Sequence, residues 1–220
     1  MNFLAFLFFS TLEYLGFIFF ILALFRFSIR EHIVKFVIFS VILSFVSNSM
    51  QLESLQAISS LLQAFLMICF VAFLLRVHIF NSLIMVITGY VINFIVQWIL
   101  IAVVIHFTGS DEVITGTPKA YITQTASAFI MFSFGVITLF LKGGFSFIDH
   151  DTRSRRSKIF TKENRPLIIL VSISIIMTFL ANLLMYSVKD TPYLLVASIL
   201  FVALIGLIYM CVKKDERTNG

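Results

Sequence analysis

The 220-residue chain is short of charge: Asp, Glu, Lys and Arg make up 12% of it, against roughly 25% in soluble domains. Hydrophobic residues reach 60% and the mean hydropathy is +1.05. So little polar surface cannot cover a water-facing fold, which excludes a soluble globular domain and makes lipid the solvent. Cysteine is scarce too. Cys69 and Cys211 lie inside apolar runs and read as buried thiols, not as a disulfide framework or a metal site. The sequence has no Ser–His–acid grouping, no glycine-rich phosphate loop and no CxxC. His32, His78 and His150 fall in connecting segments and His106 near a span boundary, without a ligand-pair spacing. Asp149-His150-Asp151 reads as solvated loop. No catalytic residue, metal ligand or cofactor is expected. The net charge of +5 reports orientation in a membrane, with no nucleic acid partner implied.

What the chain does have is apolar runs of membrane-crossing length, with phenylalanine at 27 positions. A bilayer core of about 30 Å needs about 20 helical residues. Runs of that kind place spans at about 3–25, 33–50, 55–75, 82–106, 118–141, 166–187 and 192–212, followed by a short tail, 213–220. The second is weakened by Ser40, Ser44, Ser47 and Asn48. A tight turn at Gln51–Ser54 joins it to the third. Thr117-Pro118 and Thr191-Pro192 each read as an N-cap followed by proline at the first helical position, and Asn164 with Pro166 opens the sixth span. Lys142-Gly143-Gly144 stops the fifth. The first span reads as a reversed anchor and not as a cleaved leader, since no basic residue precedes it and Arg26 and Arg30 follow it.

Orientation follows from the connectors. With the N-terminus outside, only Lys119 and Lys189 of the 16 Lys and Arg residues are external, leaving 14 inside. The expected fold is therefore all-α: one polytopic integral membrane helical bundle over 1–212, about seven transmembrane helices, N-out and C-in. Its expected location is the cell membrane, as a multi-pass protein.

Candidate site residues are the polar ones at membrane depth. Glu13, within Ser10-Thr11-Leu12-Glu13-Tyr14, falls in the middle of the first span, where an acidic side chain costs about 2.5–3.5 kcal/mol on insertion scales. It reads either as a ligand, ion or proton site or as a protonated carboxyl bonded to a neighbouring helix. Tyr90, Asn93 and Gln97 share a face of the fourth span, Gln56 and Gln63 a face of the third, and Gln124 begins another on the fifth. They are candidates for an outer-leaflet pocket with Glu13 at its floor, or for glue between helices. Trp98 reads as an interfacial or packing residue. The 142–165 loop carries a basic run with Arg153, Arg155, Arg156 and Lys158 beside Phe145 and Phe147. Topological charge explains the cations; a segment lying on the anionic inner leaflet with its aromatics dipping in, or one docking a partner, explains both.

Two stretches carry a resemblance. Leu24-Phe25-Arg26 closes the first span. Gly144-Phe145-Ser146-Phe147, followed after a basic run by Lys162-Glu163-Asn164, precedes the sixth. In these stretches and in overall plan the chain resembles the membrane sensor domain of accessory-gene-regulator-type (peptide-sensing) histidine kinases of Gram-positive bacteria. The resemblance implies a bacterial protein that receives an extracellular peptide or small-molecule ligand. With the chain stopping eight residues past Val212, it implies a sensor half without the kinase module, acting through a cytoplasmic or membrane signalling partner. The expectation is a non-enzymatic, sensor-like protein. The alternative is a small-solute transporter or the substrate-binding membrane subunit of one, using Glu13 and the Asn/Gln stripe. An intramembrane peptidase ranks last, for want of paired catalytic residues.

Overall fold

The computed structural model describes residues 3–50, 56–109, 117–148, 164–187 and 193–219. Among them are seven helices and no strand: α1 (Phe3–Leu24), α2 (Ile33–Ser49), α3 (Gln56–Leu74), α4 (Ile79–Thr108), α5 (Pro118–Phe140), α6 (Arg165–Ser187) and α7 (Tyr193–Asn219). Four stretches are long and apolar enough to cross a membrane: Phe3–Leu24, Ile79–Thr108, Pro118–Phe140 and Tyr193–Arg217. Ile33–Ser49, Ser59–Leu74 and Arg165–Ala181 are shorter apolar helices. Outward-facing positions are as greasy as inward ones. Leu4, Phe73, Phe107 and Phe140 are 72–84% exposed, a surface that suits lipid and not water. This is a helical membrane protein.

The helix ends have local causes. Thr117 Oγ1 accepts from Ala120 N–H at 3.4 Å with Pro118 next in line, as the sequence expects. α4 begins at Ile79, earlier than the apolar run starts, because His78 Nδ1 accepts from Phe80 N–H at 3.2 Å and caps it. Lys213-Lys214 ends the apolar run but not the helix, which continues to Asn219. Charge ends a span, whereas Lys, Glu and Arg are good helix formers and let the helix leave the lipid intact. The expected turn at Gln51–Ser54, the Thr191-Pro192 start and most of the Thr108–Thr117 loop lie outside the described residues.

α1, α3 and α5 share an ending. Arg26, Arg76 and Lys142, each two residues past its helix, are left-handed at φ 56°, 55° and 49°. Such a conformation costs a non-glycine residue roughly 1–2 kcal/mol. At Arg26 and Lys142 the return is a paired cap: Arg26 N–H reaches Ala23 O and Phe27 N–H reaches Leu22 O, while Lys142 N–H reaches Leu139 O and Gly143 N–H reaches Thr138 O. A cation at a helix C-terminus adds about 0.3–1 kcal/mol through the macrodipole.

α1 packs most extensively on α5, and in parallel, from Phe9 against Tyr121 to Phe20 against Phe134. Small residues bring the two backbones together. A Cβ on Gly16 would stand 2.7 Å from the Ala128 carbonyl oxygen. α4 runs antiparallel to α1, pairing Phe17 with Tyr90, and to α7, pairing Trp98 with Tyr193 and Phe80 with Lys214. The ends of α1, α5 and α7 therefore lie with the start of α4. Of the ten described Lys and Arg residues, Lys119 alone lies at the opposite end. The crowded one is the basic end.

Candidate functional site

One turn of α1 reaches four other helices. Ser10 Oγ accepts from Gln124 Nε2 of α5 at 3.3 Å. Thr11 Oγ1 meets Ser44 Oγ of α2 at 3.0 Å. Glu13 Oε1 accepts from Gln97 Nε2 of α4. Tyr14 OH donates to Gln63 Oε1 of α3 at 2.8 Å, and Gln63 Nε2 donates on to Ser59 Oγ at 2.8 Å. Ser127 Oγ of α5 donates to Asn93 Oδ1 of α4 at 3.2 Å beside this layer. The run Ser10-Thr11-Leu12-Glu13-Tyr14 is thus a hub, and the serines that dilute α2 are the face it turns toward α1. Ser44 and Ser40 are both buried.

The sequence-derived candidates separate accordingly. Glu13 and Gln97 come together, about 15 Å from either end of α1 at 1.5 Å per residue. Gln63 joins the layer through Tyr14, whereas Asn93 turns to α5. Tyr90 is buried, its ring edge-on to Phe17 at 5.1 Å, and it borders an apolar cleft of about 150 Å³ between α3, α4 and α6, with Ser60, Ile68 and Thr178 on its walls. Two buried oxygens on α5, Tyr121 OH and Gln124 Oε1, have no hydrogen-bond partner among the described residues. Trp98 is a packing residue, buried with its ring 5.4 Å from Tyr193. The Gln56 side chain lies outside the described residues.

Sequence reasoning missed Tyr14, Ser44, Ser127 and Asp215. The first three carry no signal of their own, since a partner across a bundle leaves no mark in linear order. Asp215 was visible only as one charge in a presumed tail.

At the basic end, Leu24-Phe25-Arg26 and Gly144-Phe145-Ser146-Phe147 form one structure. Arg26 Nε and Nη2 donate to the carbonyls of Gly143 (3.0 Å) and Lys142 (2.8 Å). Phe145 N–H donates to Leu24 O at 2.7 Å. The rings of Phe25, Phe145 and Phe147 meet at centroid distances of 5.5–6.1 Å. Gly144 has φ 92°, and a Cβ there would collide with the Leu24 carbonyl, so the knot requires glycine. From α7, Asp215 Oδ1 accepts from Ser146 N–H (2.7 Å) and Oγ (3.0 Å), and Lys214 Nζ stands over the Phe147 and Phe80 rings at 4.8 and 5.3 Å.

The knot corrects the expectation that Phe145 and Phe147 dip into the lipid boundary. Both are buried in the bundle, because the left-handed turn at Lys142 and Gly144 folds the chain back beneath α1. Arg153, Arg155, Arg156 and Lys158 lie outside the described residues. Among the described residues no three His, Cys, Asp or Glu side chains are grouped to hold a metal. No protein-family model, curated protein or solved structure matches the chain.

Proposed function

We propose that the chain is a seven-span protein of the bacterial cell membrane, N-terminus outside and basic end in the cytoplasm, that works as a non-enzymatic sensor or receptor. The gathering of nine of ten described cations at one end supports this orientation. An extracellular peptide or small molecule acts on Glu13, Gln63 and Gln97 in the polar layer and on Tyr90 and Asn93 beside it, and a membrane or cytoplasmic signalling partner reads the basic end. The resemblance to the peptide-sensing kinase family points the same way.

The observation that carries the proposal is that α1 belongs to both regions. Its middle is hydrogen-bonded to four helices, and its end holds the 143–148 turn and, through that turn, α7. Side-chain bonds between membrane helices average about 0.6 kcal/mol. A ligand with a modest preference for one pairing over another can therefore re-pair the layer and shift the rod. The test is native-membrane cross-linking from a photoreactive residue at Glu216, exposed near the end of α7, read by mass spectrometry. One specific partner, cross-linked in a yield that changes in Glu13→Gln, is the expected result. No partner, or a yield indifferent to Glu13→Gln, removes the sensor reading.

One observation favours a second reading, a small-solute transporter or its substrate-binding subunit. Glu13 is only partly buried and is met by an amide rather than a cation, as at intramembrane sites that take up an ion or proton. Uptake into proteoliposomes that disappears in Glu13→Gln would establish it.

A further inference from the structure

We infer that the cleft between the start of α6 and the end of α7 seats the phosphate of an anionic phospholipid. The cleft is about 200 Å³ and is lined by Asn164, Pro166 and Leu167 on one side and by Met210, Lys213, Lys214 and Arg217 on the other. On α7 these four residues are spaced i, i+3, i+4 and i+7, so one face of the helix sets three cationic residues along a single opening. No carboxylate is among its described lining residues. Asp215, next in sequence, is not among the lining residues and is engaged by Ser146. Lys214 is held in place by the Phe80 and Phe147 rings. α6 begins at this opening, and the positive end of its dipole adds to the field.

Phosphate chemistry alone would also admit a soluble phosphate. The surroundings favour the lipid. Leu167 and Met210 give the cleft an apolar floor, and the outer flanks of the same two helices show Ile169 and Ile173 on α6 and Ile208 and Tyr209 on α7 to the exterior. A molecule with an anionic head and two acyl chains meets both surfaces at once; basic pockets between spans recognise headgroups in this way. The site lies about a bilayer half-thickness from Glu13 and does not depend on the sensor reading.

The test uses the full chain, purified in a neutral mild detergent and depleted of lipid, with thermal unfolding followed during titration. Phosphatidylglycerol should raise the melting temperature in a saturable way, while phosphatidylcholine and soluble glycerol phosphate at the same concentrations should not. In Lys213→Gln/Arg217→Gln the apparent affinity for phosphatidylglycerol should fall about thirtyfold, the worth of two juxtamembrane cations. Arg30→Gln/Lys35→Gln, at the same end but outside the cleft, should leave it unchanged. Should the first pair fail to give a monodisperse protein, Arg217→Gln alone, in an exposed turn, should weaken binding about fivefold. Equal stabilisation by phosphatidylcholine overturns the inference, as does equal loss in both variant pairs. Stabilisation by glycerol phosphate equal to that by the lipid replaces the lipid with a soluble phosphate.

Discussion

Around Ser10–Tyr14, α1 is joined to its neighbours by side chains alone; at Leu24–Arg26 it is joined to them through backbone. The first region is a set of single neutral bonds, each weak and each to a different helix, plus one carboxyl met by an amide. The second uses an exposed guanidinium on two carbonyls, a backbone N–H on a carbonyl, and a carboxylate on a serine, beside the buried rings of Phe25, Phe145 and Phe147. Bonds to charged groups contribute about 1.5–3 kcal/mol, several times a bond within the polar layer. A region of the first kind can re-pair without unfolding, whereas one of the second transmits displacement. One helix, α1, runs between the two.

Three substitutions grade this contrast. Gly144→Ala should have the largest effect, because it forces a side chain onto a left-handed residue and into the Leu24 carbonyl; melting in detergent should fall by about 10 °C. Gly143→Ala, with its nearest contact at 3.7 Å, should change little and so serves as the control. Asp215→Ala should come next. It removes both Ser146 bonds from a partly exposed carboxylate, a cost of about 2 kcal/mol or roughly 4–8 °C by the same assay. Thr11→Val should be smallest. Losing the Ser44 contact is worth about 0.6 kcal/mol, and melting should move by about 2 °C or less. If Thr11→Val proves as damaging as Asp215→Ala, the layer is no softer than the knot and the contrast is broken.

Much of the fold was legible in the chain. Helix starts and ends follow from runs of about 20 apolar residues, from Thr117-Pro118 and from the cations at Arg26, Arg76 and Lys142. That α7 continues past Lys213-Lys214 was not legible, because hydropathy detects where lipid stops and is silent on where a helix does. The site was half legible. Glu13 and Gln97 stand out because polar groups are costly at that depth, and they do meet. Their neighbours do not stand out. Tyr14 and Ser44 are ordinary residues until the packing of α1 against α2 and α3 places partners opposite them. The knot was not legible as a contact: Leu24-Phe25-Arg26 and Gly144-Phe145-Ser146-Phe147 meet only because Gly144 folds back under α1, a long-range event with no local periodicity to announce it.

The central claim is that a single turn of α1 faces several helices at once. Paired cysteines in a Cys69→Ser/Cys211→Ala background test it directly in native membranes, with short-linker cross-linking mapped by mass spectrometry. Thr11→Cys should link to Ser44→Cys, and Glu13→Cys to Gln97→Cys, while Thr11→Cys should not link to Ser198→Cys, exposed on α7. If neither α1 pair links in a protein that remains inserted and monodisperse, or if the α7 pair links as readily, then α1 is not the hub described and the route from Glu13 to the basic end is lost.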